Sequence, residues 1–168
     1  MYKRQKQKYQ KKGNVYLHAI HRLDRPVAGI VLFAKTSKAL SRMNEAMRDG
    51  SIKKIYHAWV EGKLSGSGTL ESRILHGDKK AVISPKGKLS TLHYQVIESQ
   101  KNKTHVEVEL VTGRYHQIRV QLAEIGHPIL GDLKYGSTYQ QKDLALTHVK
   151  MEFVHPVTGE LTTLSSAS

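Results

Sequence analysis

Apolar and polar positions alternate along most of this chain, and the period of the alternation changes from segment to segment. Between Lys53 and Glu61 the period is two, with Ile55, His57 and Trp59 on one face and Tyr56, Ala58 and Val60 on the other, which predicts a strand. His105 to Thr112 interleaves His105, Glu107 and Glu109 with Val106, Val108 and Leu110, a strand with one wet and one dry face. Ser90 to Glu98 predicts another, across a polar Ser-Gln-Lys-Asn-Lys loop, and weaker strands fall near 69–75 and 80–84. Leu144 to Phe153 is the last strand, followed by a turn at Pro156 to Gly159. Near the start, the apolar stretch at 15–20 predicts a strand delivered to a loop at His21-Arg22-Leu23-Asp24, and Gly29 to Lys35 reads as a buried strand.

Two segments change to helical spacing. Ala39, Leu40, Met43, Ala46 and Met47 share one face of a helix over about 37–48, with Thr36 or Ser37 as its N-cap and Asp49-Gly50 as its stop. Tyr115, Ile118, Leu122 and Ile125 predict a second helix over 114–125, ended by Gly126. No internal repeat is present. Two helices among many strands predict an α+β fold, a mixed, largely antiparallel sheet with flanking helices.

Composition adds a partner to this picture. The 168 residues make one domain, and 39% hydrophobic residues suffice for a core. With 27 Lys and Arg against 14 Asp and Glu, the net charge of +13 points to a polyanion, nucleic acid ahead of an anionic membrane surface. Six of those bases lie in residues 1–14, which hold no acid. That stretch reads as a disordered or non-native basic tail ahead of a domain over 15–168. The absence of cysteine excludes a disulfide scaffold, a thiol nucleophile and zinc–thiolate sites, and leaves the cytoplasm as the default compartment. No apolar run is long enough to predict a membrane-spanning helix, and no secretory signal is expected.

Three constellations carry candidate chemistry. In His21-Arg22-Leu23-Asp24-Arg25-Pro26, two guanidinium groups flank a carboxylate and favour its ionised form, suiting a nucleophile, a base or a simple loop salt bridge. In Gly113-Arg114-Tyr115-His116-Gln117-Ile118-Arg119, Arg119 falls on the apolar side of the predicted helix and therefore needs an anion, for which Asp24 is a candidate. Arg114, in the predicted first turn, suits a phosphate or is a surface cation. Tyr56 could stack on a nucleobase or belong to the core. Ten histidines occur, but none with helical metal-ligand spacing. His18, His21 and Asp24, three apart in a loop, are the one set a metal-dependent nuclease could use, and no metal or other cofactor is expected.

Four stretches in order, HRLDRPVAGIVLFAKT at 21–36, KKIYHAWVEGK at 53–63, TGRYHQIRVQLAEIGHPILGDLKYG at 112–136 and LALTHVKMEFVHPVTGE at 144–160, resemble the RluA-type family of RNA pseudouridine synthases. The resemblance implies isomerisation of uridines in ribosomal or transfer RNA without cofactor or metal, and a monomer is the default for a domain of this size. It makes Asp24 the catalytic aspartate, Tyr56 the stacking ring that assists loss of the C5 proton, Arg119 the partner of Asp24, and Leu146 a wall of the base pocket. Arg22, Arg25, Lys53, Lys54, Arg114 and His116 then surround that carboxylate as RNA contacts. The chain departs from the family at Val27-Ala28-Gly29, where a hydroxyl residue is usual, and at Leu146-Thr147-His148. It also lacks the family's usual first strand segment upstream, which leaves open a shortened module that binds RNA without catalysis.

Overall fold

The protein is described by a computed structural model that covers residues 7, 8, 10 and 15–166. Most of the basic stretch 1–14 therefore lies outside the described residues. The main sheet runs in the order β10 (Leu161–Ser165), β9 (Leu146–Val154), β4 (Lys53–Glu61), β8 (Lys103–Leu110), β7 (Lys88–Gln100), β5 (Ser67–His76) and β6 (Ala81–Ile83), with every neighbour antiparallel. Two helices complete an α+β architecture, α1 (Ser37–Asp49) and α2 (Gln117–Glu124).

One face of the sheet is dry. Tyr56, Ala58 and Val60 of β4 pack with Leu92, Val106, Val108 and Leu110, and against Ile118 and Leu122 of α2. Helix α1 covers the β9 end of the same face, setting Met43 against Ile52, Met151 and Phe153. It is capped as its sequence predicts, by the Thr36 side chain accepting from Ala39 N and by Gly50 in the left-handed conformation. The opposite face is wet: Trp59 stacks on His105 at 4.8 Å, and Lys53 pairs with Glu109 at 3.0 Å.

Four elements differ from the sequence expectation. The strands expected at 15–20 and 29–35 shrink to β1 (His18–Ala19) and β3 (Phe33–Ala34), paired only with each other, while β2 (Ala28–Gly29) docks parallel on β9. Gly29 is the reason: its φ of +116° breaks an extended run, and a Cβ there would lie 2.2 Å from the His148 carbonyl oxygen. Helix α2 starts at Gln117 rather than 114, because His116 takes a left-handed φ of 53°. Strand β10 follows the Pro156–Gly159 turn and escapes notice in sequence, being short, half threonine and serine, and at the sheet's edge.

Candidate active site

The Asp24 loop is held at both ends and in the middle. The β1–β3 pair closes its base, and Ile20 N donates to Leu32 O at 2.9 Å. In the middle, Ile30 N donates to His148 O at 3.1 Å and the His148 Nδ1–H returns a bond to Ile30 O at 2.8 Å, locking the loop onto β9. His21 turns inward, its Nε2 accepting from Leu32 N at 3.2 Å. A tight turn, Val27 N to Asp24 O at 2.9 Å, then presents the Asp24 side chain between the two helices.

There it lies in a cleft of about 860 Å³. Met47 of α1 and Gln117 and Ile118 of α2 line its sides, and Tyr56 and Leu146 come from the sheet beneath. Arg22, Arg25, Lys54, Arg114, Arg119 and Lys134 also line it, six cations around the single carboxylate of Asp24. Such a concentration of charge in a concave, low-dielectric wall focuses potential onto an incoming polyanion.

The sequence rule that a buried arginine needs an anion is satisfied twice over. Arg119, only 5% exposed, reaches Asp24 Oδ2 through Nη1 at 3.2 Å. Its stronger partner is Asp132, which sequence reasoning missed: Nε to Oδ2 is 2.7 Å and Nη2 to Oδ1 is 2.8 Å, a bidentate pair. Burial works against the guanidinium charge, and Asp132 and Asp24 together outweigh it and raise the pKa. Asp132 sits in Gly131-Asp132, within a stretch singled out for resemblance, and its signal was the same arginine's need for an anion. Asp132's loop is tied down by Glu61, which accepts from Ser137 Oγ at 2.6 Å and from Thr138 N at 2.7 Å.

A second side chain approaches Asp24. His116 Nε2 lies 3.5 Å from Oδ2, and its Nδ1 lies 2.8 Å from the Tyr135 hydroxyl. Tyr135 Oη accepts from Ala81 N at 2.8 Å, and its own proton has His116 Nδ1 at 2.8 Å against Ala81 O at 3.3 Å. The shorter contact takes that proton, which leaves the imidazole hydrogen on Nε2, facing Asp24. Burial lowers the His116 pKa more than the Asp24 carboxylate raises it, so the ring is a neutral donor. Arg119 donates to Oδ2 and His116 Nε2 stands 3.5 Å from the same oxygen, and among the described residues Oδ1 accepts from none.

The floor is aromatic. Tyr56 stacks on the buried His148 at 4.5 Å, and His21 meets His148 edge-on at 5.5 Å. Burial, aided by the charge of Asp24, pushes the Tyr56 phenol well above its ordinary pKa. Burial pulls His21 down to about 4, with His148 and Lys54 adding to the shift.

Of the residues singled out in sequence, Asp24, Tyr56, Arg119, Leu146, Arg22, Arg25, Lys54, Arg114 and His116 share this cleft. Lys53 does not. As the residue before Lys54 on a strand, it points to the wet face, where Glu109 holds it. His116 is 7% exposed, with Nδ1 on the Tyr135 hydroxyl and Nε2 turned toward Asp24, which leaves little of the ring open to a phosphate. Arg114 precedes α2 instead of opening it, so the helix-terminus argument for a phosphate does not apply to it. No group of three or more metal-ligating side chains forms among the described residues, so His18, His21 and Asp24 are not gathered as a nuclease centre. Among the same residues no helix is long and apolar enough to cross a membrane.

Six cations around one immobilised carboxylate, over an antiparallel sheet, define a site directed at a polyanion. The family model described as RNA pseudouridylate synthase matches residues 1–124, and the chain belongs to that family. It is 36% identical over 159 residues to ribosomal large subunit pseudouridine synthase D of Vibrio cholerae, covering 84% of this chain and 49% of that protein. It is 38% identical over 150 residues to the uncharacterized RNA pseudouridine synthase YhcT of Bacillus subtilis, with the same coverages. The chain thus spans about half the length of the curated relatives it matches. The fold is shared with human RNA pseudouridylate synthase domain containing 4, at a TM-score of 0.82 and 23% identity over 96% of this chain and 75% of that one.

Proposed function

We propose that this chain carries the catalytic site of an RNA pseudouridine synthase that isomerises uridines in ribosomal or transfer RNA, acting as a cytoplasmic monomer without metal or cofactor. The observation that carries the reading is Asp24 itself: one carboxylate at the centre of a cationic cleft, held through Oδ2 by Arg119 with His116 close by, beside the ring of Tyr56. Asp24 opens the reaction through Oδ1, either by bonding C1′ or by taking the 2′ proton. The N1–C1′ bond breaks with its electron pair on the uracil and the ring turns; C5 bonds C1′ as the Asp24 oxygen leaves it, or as Asp24 returns the proton to C2′, and then the C5 proton leaves and N1 gains a proton, so substrate and product are isomers.

Tyr56 gives the extruded base a stacking face. Its raised pKa keeps the phenol protonated, so the C5 proton needs another acceptor, and Asp24 is the carboxylate at hand. Arg22 and Arg25, exposed on the rim, offset the few kcal/mol that base flipping costs by holding the backbone. Leu146 closes the pocket beneath. Chemical mapping of ribosomal and transfer RNA from cells lacking the gene, complemented with wild type or Asp24→Asn, tests the reading. At least one pseudouridine returns with wild type and none with the variant; restoration by both contradicts it. A module that only binds RNA restores none with either.

A further inference from the structure

Among the described residues, Lys54 is a buried cation with no hydrogen-bond or ion-pair partner. It stands on the same face of β4 as Tyr56, two residues along and opposite Met151 of β9, and is 6% exposed yet lines the cleft. Lys53 is met by Glu109, Arg119 by Asp132 and Asp24, and Lys134 by the Lys79 carbonyl, while Arg22, Arg25 and Arg114 are exposed to solvent. No described carboxylate, carbonyl or hydroxyl accepts from Lys54 Nζ. The titratable groups whose charges act with it are bases, His21 and His148, each disfavoured as a cation by the lysine itself. A Cβ placed on Gly113 would lie 3.6 Å from Nζ, so the ammonium reaches the bend where β8 gives way to Arg114.

A buried ammonium without an acceptor is costly, and replacing it by an apolar group of similar volume is commonly neutral or stabilising. A sequence keeps such a group at a cleft floor when the acceptor arrives with the ligand. We propose that Lys54 is a subsite for an anionic oxygen of the RNA. Two sources share that chemistry: the phosphate beside the target nucleotide, and the uracil O2 and O4, which take up negative charge when the N1–C1′ bond parts. The proposal rests on the isomerase reading of the cleft.

The test is Lys54→Met in the full chain, with unmodified, transcribed large-subunit ribosomal RNA as the probe. Its Tm is expected at or above that of wild type, because no protein group loses a partner. A phosphate contact shows as about tenfold or more weaker binding and a salt slope reduced by about one. A uracil contact leaves Kd and slope in place and lowers turnover at saturating RNA by about tenfold or more. Unchanged Kd and unchanged turnover, at whatever Tm, overturn the proposal. Should Lys54→Met not fold, Lys54→Gln, which keeps a donor without the charge, carries the same readings. Wild type run alongside separates the two claims: RNA binding without pseudouridine formation ends the isomerase reading, while Kd and salt slope still decide the role of Lys54.

Discussion

Arg119 is gripped by Asp132 before it reaches Asp24: two bonds of 2.7 and 2.8 Å fix the guanidinium plane, and a third of 3.2 Å extends from it to the cleft. The carboxylate that lines the cleft is therefore oriented, through Arg119, by one that does not. Asp132→Ala leaves a buried guanidinium with only Asp24 for compensation, and breaking such a pair costs about 3–5 kcal/mol. Denaturant unfolding measures this, and a loss below about 0.5 kcal/mol contradicts the assignment.

Tyr135→Phe removes the hydroxyl that sets the His116 tautomer. The imidazole hydrogen is then free to move to Nδ1, and Asp24 loses its second donor. Turnover falls severalfold with RNA affinity unchanged, while stability drops by about 1–3 kcal/mol as Ala81 N loses its acceptor. Equal turnover in the variant refutes the His116 role.

Gly29→Ala tests how the loop is held. A methyl group there meets the His148 backbone at a φ that L side chains rarely adopt, so β2 must leave β9. Both the melting temperature and pseudouridine formation should fall sharply. A variant with wild-type activity shows that docking of β2 does not position Asp24.

Acid should weaken the fold before it touches the carboxylates. His21 has a folded-state pKa of about 4 against an ordinary 6.5, so between those values the unfolded chain binds the proton and the folded chain does not. The stability associated with the neutral ring is complete above pH 6.5 and is lost as pH falls toward 4, amounting to about 2 kcal/mol between pH 7 and 5. His21→Gln, which offers an acceptor to Leu32 N and does not titrate, should flatten this slope. An unchanged slope assigns it elsewhere.

Most of the sheet and both helices were legible in sequence because their apolar periods are long and uninterrupted, as in β4, where Tyr56, Ala58 and Val60 all reach the core. The loop from 20 to 32 was not. Its apolar residues form a strand-like run, but its hydrogen bonds go to His148 of β9, some 120 positions away in the chain, and no local pattern announces that. Arg119's need for an anion was legible from its helix face, yet helical spacing cannot choose between Asp24 and Asp132. Lys53 and Lys54 looked equivalent as a basic pair, and the strand's period of two sends one to Glu109 and the other to the cleft floor.

The central claim is that Asp24 performs the isomerisation, and tritium release from RNA carrying 5-tritiated uridine tests it most directly, because the label leaves only when C5 exchanges its hydrogen for C1′. Wild-type chain should release tritium in proportion to its target uridines, and Asp24→Asn should bind the same RNA and release none. Release by Asp24→Asn at a wild-type rate would contradict the account.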